Sequence, residues 1–351
     1  MYPAGTYFGR PVIKALEADQ PQAHGRVPRE VVAARLDQVT SAVPPPGVSI
    51  ADARLQEVSD GIYAYIQPDG SWWINNTAFL VGRTGVVSVD ACSTERRTRA
   101  YLDAIASVTS QPVRTLINTH HHGDHTFGNY LFAGATIVAH DKCRAEMLGF
   151  GPPGRTPFWN EVDWGDIELA PPFLTYETGV RVYVDDLECE VRHVGSPAHT
   201  TNDSIVWVPS RSLLLSGDLL FRGGTPFLLM GSVAGAVDVL EELKQLPATT
   251  IVPGHGGVSG PELIDDVLGY LRFVLDAARA ARAAGLSPLD AARELDLGPY
   301  ADLLDAERIV GNLHRAYAEL GGAPQGTPID VVAALTDMVT YNGGQPLTCY
   351  A

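Results

Sequence analysis

Between positions 120 and 125 the chain reads His120-His121-His122-Gly123-Asp124-His125, a concentration of imidazoles with one carboxylate. Imidazole nitrogen and carboxylate oxygen are the donors that zinc and similar borderline cations accept. In an extended segment alternate side chains share a face, so His120 and His122 can grip one ion. A turn at Gly123 then redirects Asp124 and His125 toward a second position. Two cations about 4 Å apart are compatible with that spacing. Three later segments each end a β-rich run on one more ligand type: Ser196-Pro197-Ala198-His199-Thr200, Leu215-Ser216-Gly217-Asp218-Leu219 and Ile251-Val252-Pro253-Gly254-His255-Gly256. Such a cluster supports hydrolysis, because two cations sharing a water lower its pKa from 15.7 to near 7, and an open coordination position polarises a carbonyl.

Short apolar runs bounded by turn residues must carry these ligands. Gly61 to Ile66, Asn76 to Gly82 and Gly85 to Asp90 predict a meander of antiparallel strands. A helix capped by Ser93 or Thr94 follows, then a strand over Val113 to Thr119 that delivers the histidine cluster. Further strands are expected at Thr136–Ala139, Arg181–Val184, Cys189–Val194, Ser204–Val208 and Arg211–Leu215. After Ser259-Gly260-Pro261 apolar residues recur at helical spacing, with a second start at Ser287-Pro288 and later helices ending near Gly321 and Tyr341. Sheets covered by helices are the expected layering. Residues 1–55, with one helical pattern near Val27 to Val39, read as an N-terminal extension without a catalytic role, the alternative being an arm that covers the site or exchanges with a second subunit; 56–258 read as the catalytic domain and 259–351 as a helical region.

The 351 residues carry 25 Lys+Arg against 41 Asp+Glu, a net charge of −16, with 45% hydrophobic residues. That is the composition of a globular chain with a sizeable core. Its acidity argues against nucleic acid or an anionic membrane as partner. With no basic segment leading into an apolar stretch at the start and no run long enough to span a bilayer, a cytoplasmic location is expected. Cys92, Cys143, Cys189 and Cys349 lie far apart and read as buried thiols. Arg96, Arg97 and Arg99 read as a solvated helix face, with docking of an acidic carrier protein as the alternative. His121 should point away from its neighbours toward solvent or the ligands' outer side, and His140 reads as a structural histidine. Trp72-Trp73 fit a substrate pocket or the core equally well.

The metal-binding pattern resembles the metallo-β-lactamase superfamily, whose HxHxDH motif is matched by His120, His122, Asp124 and His125. The resemblance spans roughly residues 56 to 258 and implies an α+β fold, a four-layer αββα sandwich, with the N-terminal arm and helical C-terminal region attached. It also implies that His120, His122 and His199 hold a first divalent ion, that Asp124, His125 and His255 hold a second, and that Asp218 bridges them. Zinc is the expected metal, with iron or manganese also compatible with the donors. Asp124 would orient a metal-bridging hydroxide and Asp218 would fix the intermetal distance, which gives both a catalytic role. Phe221 stands where some relatives carry a lysine or tyrosine that assists lactam or lactone opening, which turns the expectation toward thioesters.

Val162 to Leu169, Gly231 to Gly235, Asn312 to Ala316 and Tyr341 to Cys349 further resemble cyclase and thioesterase enzymes of aromatic polyketide biosynthesis, such as that of actinorhodin. This resemblance implies ring closure and release of a polyketide bound to an acyl carrier protein, with Trp72, Trp73, Phe221 and Phe227 lining a flat aromatic pocket. The alternative is a general thioesterase or glyoxalase II-like hydrolase of small acyl thioesters; a metal-binding interaction protein without turnover is the reading outside the enzymes. A homodimer is compatible with all three.

Overall fold

The computed structural model describes residues 48–351. The helical pattern at 27–39 and most of the expected arm lie outside the described residues. Among the described residues are twelve strands and eight α-helices. The first sheet contains β1 (Arg54–Ser59), β2 (Ile62–Ile66), β3 (Thr77–Val81), β4 (Val86–Val89), β5 (Val113–Ile117), β6 (Thr136–His140) and β7 (Leu174–Tyr176) in chain order. Its first four strands form an antiparallel meander, and β4 to β7 run parallel. The second sheet has the order β12-β11-β10-β9-β8, built from β8 (Gly179–Val184), β9 (Leu187–His193), β10 (Ser204–Val208), β11 (Leu213–Phe221) and β12 (Thr250–His255). Only β11 and β12 pair in parallel there.

The helices are α1 (Glu95–Val108), α2 (Gly123–Thr126), α3 (Asp141–Phe150), α4 (Val233–Leu243), α5 (Glu262–Ala283), α6 (Pro288–Glu294), α7 (Arg308–Leu320) and α8 (Val331–Tyr341). Thr94 caps α1 through a bond from the Arg97 amide, and Ser287 caps α6 with Pro288 in its first turn, as the sequence predicts. Pro261 stands just before α5 rather than inside it.

Strand alternation creates the layers. In β10, Val206 and Val208 face the other sheet, joining Val87, Val89 and Ile117 from the first, while Ile205 and Trp207 face outward. That outer face packs against Leu240 of α4, Val267 and Leu271 of α5, Leu313 of α7 and Leu335 of α8. The opposite outer face, with Phe79 and Leu116, is covered by Tyr101 and Ile105 of α1. The fold is therefore the expected αββα sandwich, and the C-terminal helices belong to its outer layer. Among the described residues no helix is long and apolar enough to cross a membrane.

One expectation fails on α1. Arg96 and Arg99 are exposed, but Arg97 is buried. Its guanidinium donates to Gln67 Oε1 at 3.0 Å, to the Val48 carbonyl at 3.1 Å and to the Tyr350 carbonyl at 2.7 Å. Positions 97, 101 and 105 are spaced by four along α1, so Arg97 shares the inward face of Tyr101 and Ile105. It ties the end of the chain to the sheet instead of offering charge to a partner. All four cysteines are buried and unbridged.

Candidate metal centre and cavity

Seven His and Asp side chains gather where the strands of both sheets end. Four come from the segment that follows β5. His122 is the N-cap of α2, and this single helical turn carries Asp124 and His125. His199 lies in the loop between β9 and β10, Asp218 inside β11, and His255 at the end of β12. Among the described residues their donor atoms form two groups, His120, His122, His199 and Asp218, and Asp124, His125, Asp218 and His255. All donors within a group lie within 4.8 Å of one another, and Asp218 belongs to both.

Asp218 reaches this place through a local irregularity of β11. The pairing of β11 with β12 shifts register around Gly217, whose φ of +52° lies in the left-handed region that glycine adopts most readily. The shift turns the following carboxylate into the cluster. On the neighbouring strand Gly254 leaves it room, since a Cβ there would stand 1.9 Å from Asp218 Oδ1.

Outer contacts fix which nitrogen of each imidazole faces inward. His125 Nδ1 donates to Asp90 Oδ2 at 2.8 Å, His255 Nδ1 to the Gly70 carbonyl at 3.1 Å, and His199 Nδ1 to the Phe227 carbonyl. The Thr119 hydroxyl donates to Asp90 at 2.7 Å and receives His120 Nδ1–H at 3.1 Å. In each case the proton lies outside and the Nε2 lone pair points into the cluster. His122 is turned the other way, with Nδ1 facing His199 Nε2 at 2.8 Å.

Three of the inward atoms lack a hydrogen-bond partner. His120 Nε2, His125 Nε2 and Asp218 Oδ1 are buried without a hydrogen bond. His125 Nε2 and Asp218 Oδ1 stand 3.0 Å apart, and His255 Nε2 lies 3.2 Å from both Asp124 Oδ2 and Asp218 Oδ2. Nitrogen and carboxylate oxygen that converge in the dry interior call for positive charge between them, which a shared proton or a metal cation supplies. Their spacings suit a metal cation, because tetrahedral ligands about 2.0–2.1 Å from zinc lie about 3.3 Å from each other.

Charge follows the same division. Burial, with the neighbouring histidines, holds His120 and His122 well below the usual imidazole range and keeps them neutral. Burial also acts on His125 and His255, but Asp218 and Asp124 outweigh it, with Asp90 adding to the effect at His125; His255 is raised to about 9 and His125 well above its ordinary value. Burial works against ionised Asp218, yet His255, His125 and His199 hold its carboxyl well below the usual range. The half of the cluster that contains Asp124 thus calls for positive charge.

His121 joins neither group. It is buried, its Nδ1 lies 3.0 Å from the Asn202 amide, and burial lowers its pKa to about 3. His140 is held by the Glu177 carbonyl and the Lys142 amide, as a structural histidine should be.

The cluster forms the floor of a cavity of about 1260 Å³. Asp124, with its side chain 11 % exposed, is the more open of the two carboxylates to this space. Trp72, Trp73, Phe221 and Phe227 all line the walls, together with Trp159 and Trp164 from the loop after α3. Adjacent tryptophans share one cavity because Trp73 has a φ of +66°, which breaks the alternation expected of an extended segment. The roof includes Gly344, Gln345 and Pro346. These residues are held through a bridge between Leu347 and Trp159 and through Asn160, which exchanges hydrogen bonds with Cys349.

Asp90 is the site residue that sequence reasoning missed. Its carboxylate also accepts the Thr119 amide at 2.7 Å, so it orients both His120 and His125. In Asp90→Asn an amide N–H would confront one of these donors. Zinc affinity, measured by competition with a chromophoric chelator, should fall about 10- to 100-fold, as for other lost partners of metal ligands; an affinity within twofold of the parent would contradict the orienting role.

Comparison with known proteins agrees with this geometry. The family model described as the metallo-beta-lactamase superfamily matches residues 70–255, more than half of the chain. A hydroxyacylglutathione hydrolase of Rhodospirillum rubrum is 33% identical over 138 residues, covering 39% of this chain and 45% of that protein. A beta-lactamase-like protein 2 homolog of Caenorhabditis elegans is 25% identical over 209 residues, covering 58% and 64%. The chain therefore spans about half to two-thirds of the length of these curated relatives. A solved metallo-beta-lactamase from Pontibacter korlensis superposes with a TM-score of 0.53 at 19% identity, covering 63% of this chain and 99% of that one, which speaks for the fold alone.

Proposed function

The chain belongs to the metallo-beta-lactamase superfamily, and from that premise we propose that it is a metal-dependent hydrolase of acyl thioesters. The observation that carries this reading is the pair of His/Asp groups sharing Asp218 on the floor of a largely aromatic cavity. Relatives named hydroxyacylglutathione hydrolase support the thioester, since their name denotes cleavage of an acyl group from the glutathione thiol.

The side chains that would hold two divalent cations are His120, His122 and His199 on one side, Asp124, His125 and His255 on the other, and Asp218 between them. When bound, such cations supply acidified water and polarise the thioester carbonyl. The protein's own part is positional. Asp90, Gly70 and Phe227 hold the imidazole protons outward, Asp124 presents a carboxylate toward the substrate space, and the aromatic walls exclude water while holding the acyl group.

A second reading, the polyketide cyclase and thioesterase, is favoured by the cavity. Its volume exceeds the range of roughly 300–1,000 Å³ usual for ligand pockets, and four tryptophans and four phenylalanines stand among its lining residues. An acyl carrier protein would then deliver the substrate. The names of the curated relatives favour the simpler thioesterase, and size of the acyl group separates the two.

Elemental analysis of protein purified without chelator should find close to two divalent metals per chain, with zinc expected. The loaded protein should hydrolyse thioesters. Turnover confined to a hydroxyacyl-glutathione would exclude the second reading, whereas release of a cyclised acid from a carrier-bound polyketide would establish it. Reproducible absence of metal, or two bound metals with no thioester turnover at all, would overturn the main proposal.

A further inference from the structure

The start of α7 meets Trp72 of the cavity wall through two neighbouring residues. Glu307 Oε1 accepts the Trp72 indole N–H at 2.6 Å, and the Arg308 guanidinium lies 4.0 Å over the Trp72 ring. Arg308 is buried and anchored, forming an ion pair with Asp305 at 2.8 Å and donating to the Thr225 carbonyl at 2.9 Å. It also stands 5.5 Å from the Phe221 ring, which stacks on His255 at 5.0 Å with 10° between the planes. Phe227 and Trp159 meet Trp72 edge to face at 5.0 and 5.5 Å.

We propose that Glu307 and Arg308 are positioning residues that set acyl-group specificity through Trp72: they fix its indole as a rigid wall, so that the cavity selects flat aromatic acyl groups over small aliphatic ones. The proposal rests on the thioesterase reading for the identity of the substrate, though not for the selectivity itself. A Trp side chain has a single polar atom, and once that donor is spent on Glu307 the ring can pivot neither about its edge nor, with Arg308 on its face, out of plane. The adjoining backbone would not hold the ring unaided. Trp73 occupies the left-handed region, costly for a bulky residue, and such strain persists only where surrounding contacts overdetermine it. A wall that cannot yield favours a flat ring filling the space and gives a short acyl chain nothing to grip.

The test compares Glu307→Leu, which removes the acceptor, with Glu307→Gln, which retains one. Metal-loaded protein is assayed with 2-naphthoyl and acetyl thioesters of N-acetylcysteamine, and calorimetry measures binding of 2-naphthoate and acetate. In Glu307→Leu, KM for the naphthoyl thioester and Kd for naphthoate should rise about tenfold, the scale of one hydrogen bond to a charged acceptor. The naphthoyl kcat and the acetyl parameters should stay within about twofold, and Glu307→Gln should resemble the parent. Near-ultraviolet circular dichroism of Glu307→Leu should lose intensity in the tryptophan bands while the far-ultraviolet spectrum is unchanged. Equal losses on both acyl groups, no loss on either, or a parent protein that prefers acetate would each overturn the proposal. A parent that binds naphthoate selectively yet cleaves neither thioester would overturn the hydrolase reading and leave this one standing.

Discussion

Asp218→Ala should lower kcat/KM for any thioester substrate by on the order of 10³-fold or more, the scale of losing a preorganised electrostatic group, while far-ultraviolet circular dichroism stays unchanged. The size of the effect follows from the double membership of this carboxylate. Its Oδ2 lies 3.3 Å from His199 Nε2 and 3.2 Å from His255 Nε2, and its Oδ1 lies 3.0 Å from His125 Nε2, so one truncation removes a donor from both groups. It also removes the negative charge that does most to raise His125 and His255. Metal content should fall from about two per chain toward one or none. Full activity with normal metal content would eliminate the paired-cation mechanism.

Gly254→Ala tests the same carboxylate from behind without replacing a ligand. The new Cβ would stand 1.9 Å from Asp218 Oδ1, 2.8 Å from the Gly217 carbonyl carbon and 2.9 Å from the Asp218 amide nitrogen. Two of these atoms are backbone of β11, the parallel neighbour of β12, and neither can move without parting the strands. Overpacking of this kind costs about 1–3 kcal/mol. Tm should drop by several degrees, and both metal content and hydrolysis should fall with it. Gly149→Ala provides the control: it lies inside α3 with nothing within 4 Å of its new Cβ, and alanine there should leave activity unchanged and stability equal or higher. Equal behaviour of the two variants would refute the packing explanation.

The part of the site that was legible in the sequence is the part written at short range. The histidine cluster occupies six consecutive positions, and His199, Asp218 and His255 each close an apolar run. Asp90 carries the same signature, ending the run Val86-Val87-Ser88-Val89, but its partners Thr119 and His125 lie just past another strand and in a later turn, and only the parallel pairing of β4 with β5 brings them together. Arg97 was hidden for another reason. A run of arginines suggests a solvated face, while the four-residue spacing to Tyr101 and Ile105 that places it inward became decisive only once the acceptors Val48 and Tyr350 were seen. The two tryptophans resisted assignment because strand alternation should separate them, and the left-handed backbone at Trp73 is not encoded by any turn residue at that position.

The roof of the cavity has a consequence for how the protein is made. Gly344 to Pro346 close it, and the Arg97 bond that fastens the tail joins residues 253 positions apart in the chain. During synthesis at about 5–20 residues per second, roughly ninety residues separate the emergence of His255 from that of Gly344, an interval on the order of 5–20 s. Throughout it the nascent chain lacks the segment that bridges Trp159 through Leu347 and meets Trp72 through Cys349. For those seconds the apolar surface around these tryptophans is open to aggregation, which makes solubility at high expression rates sensitive to the segment that follows α8.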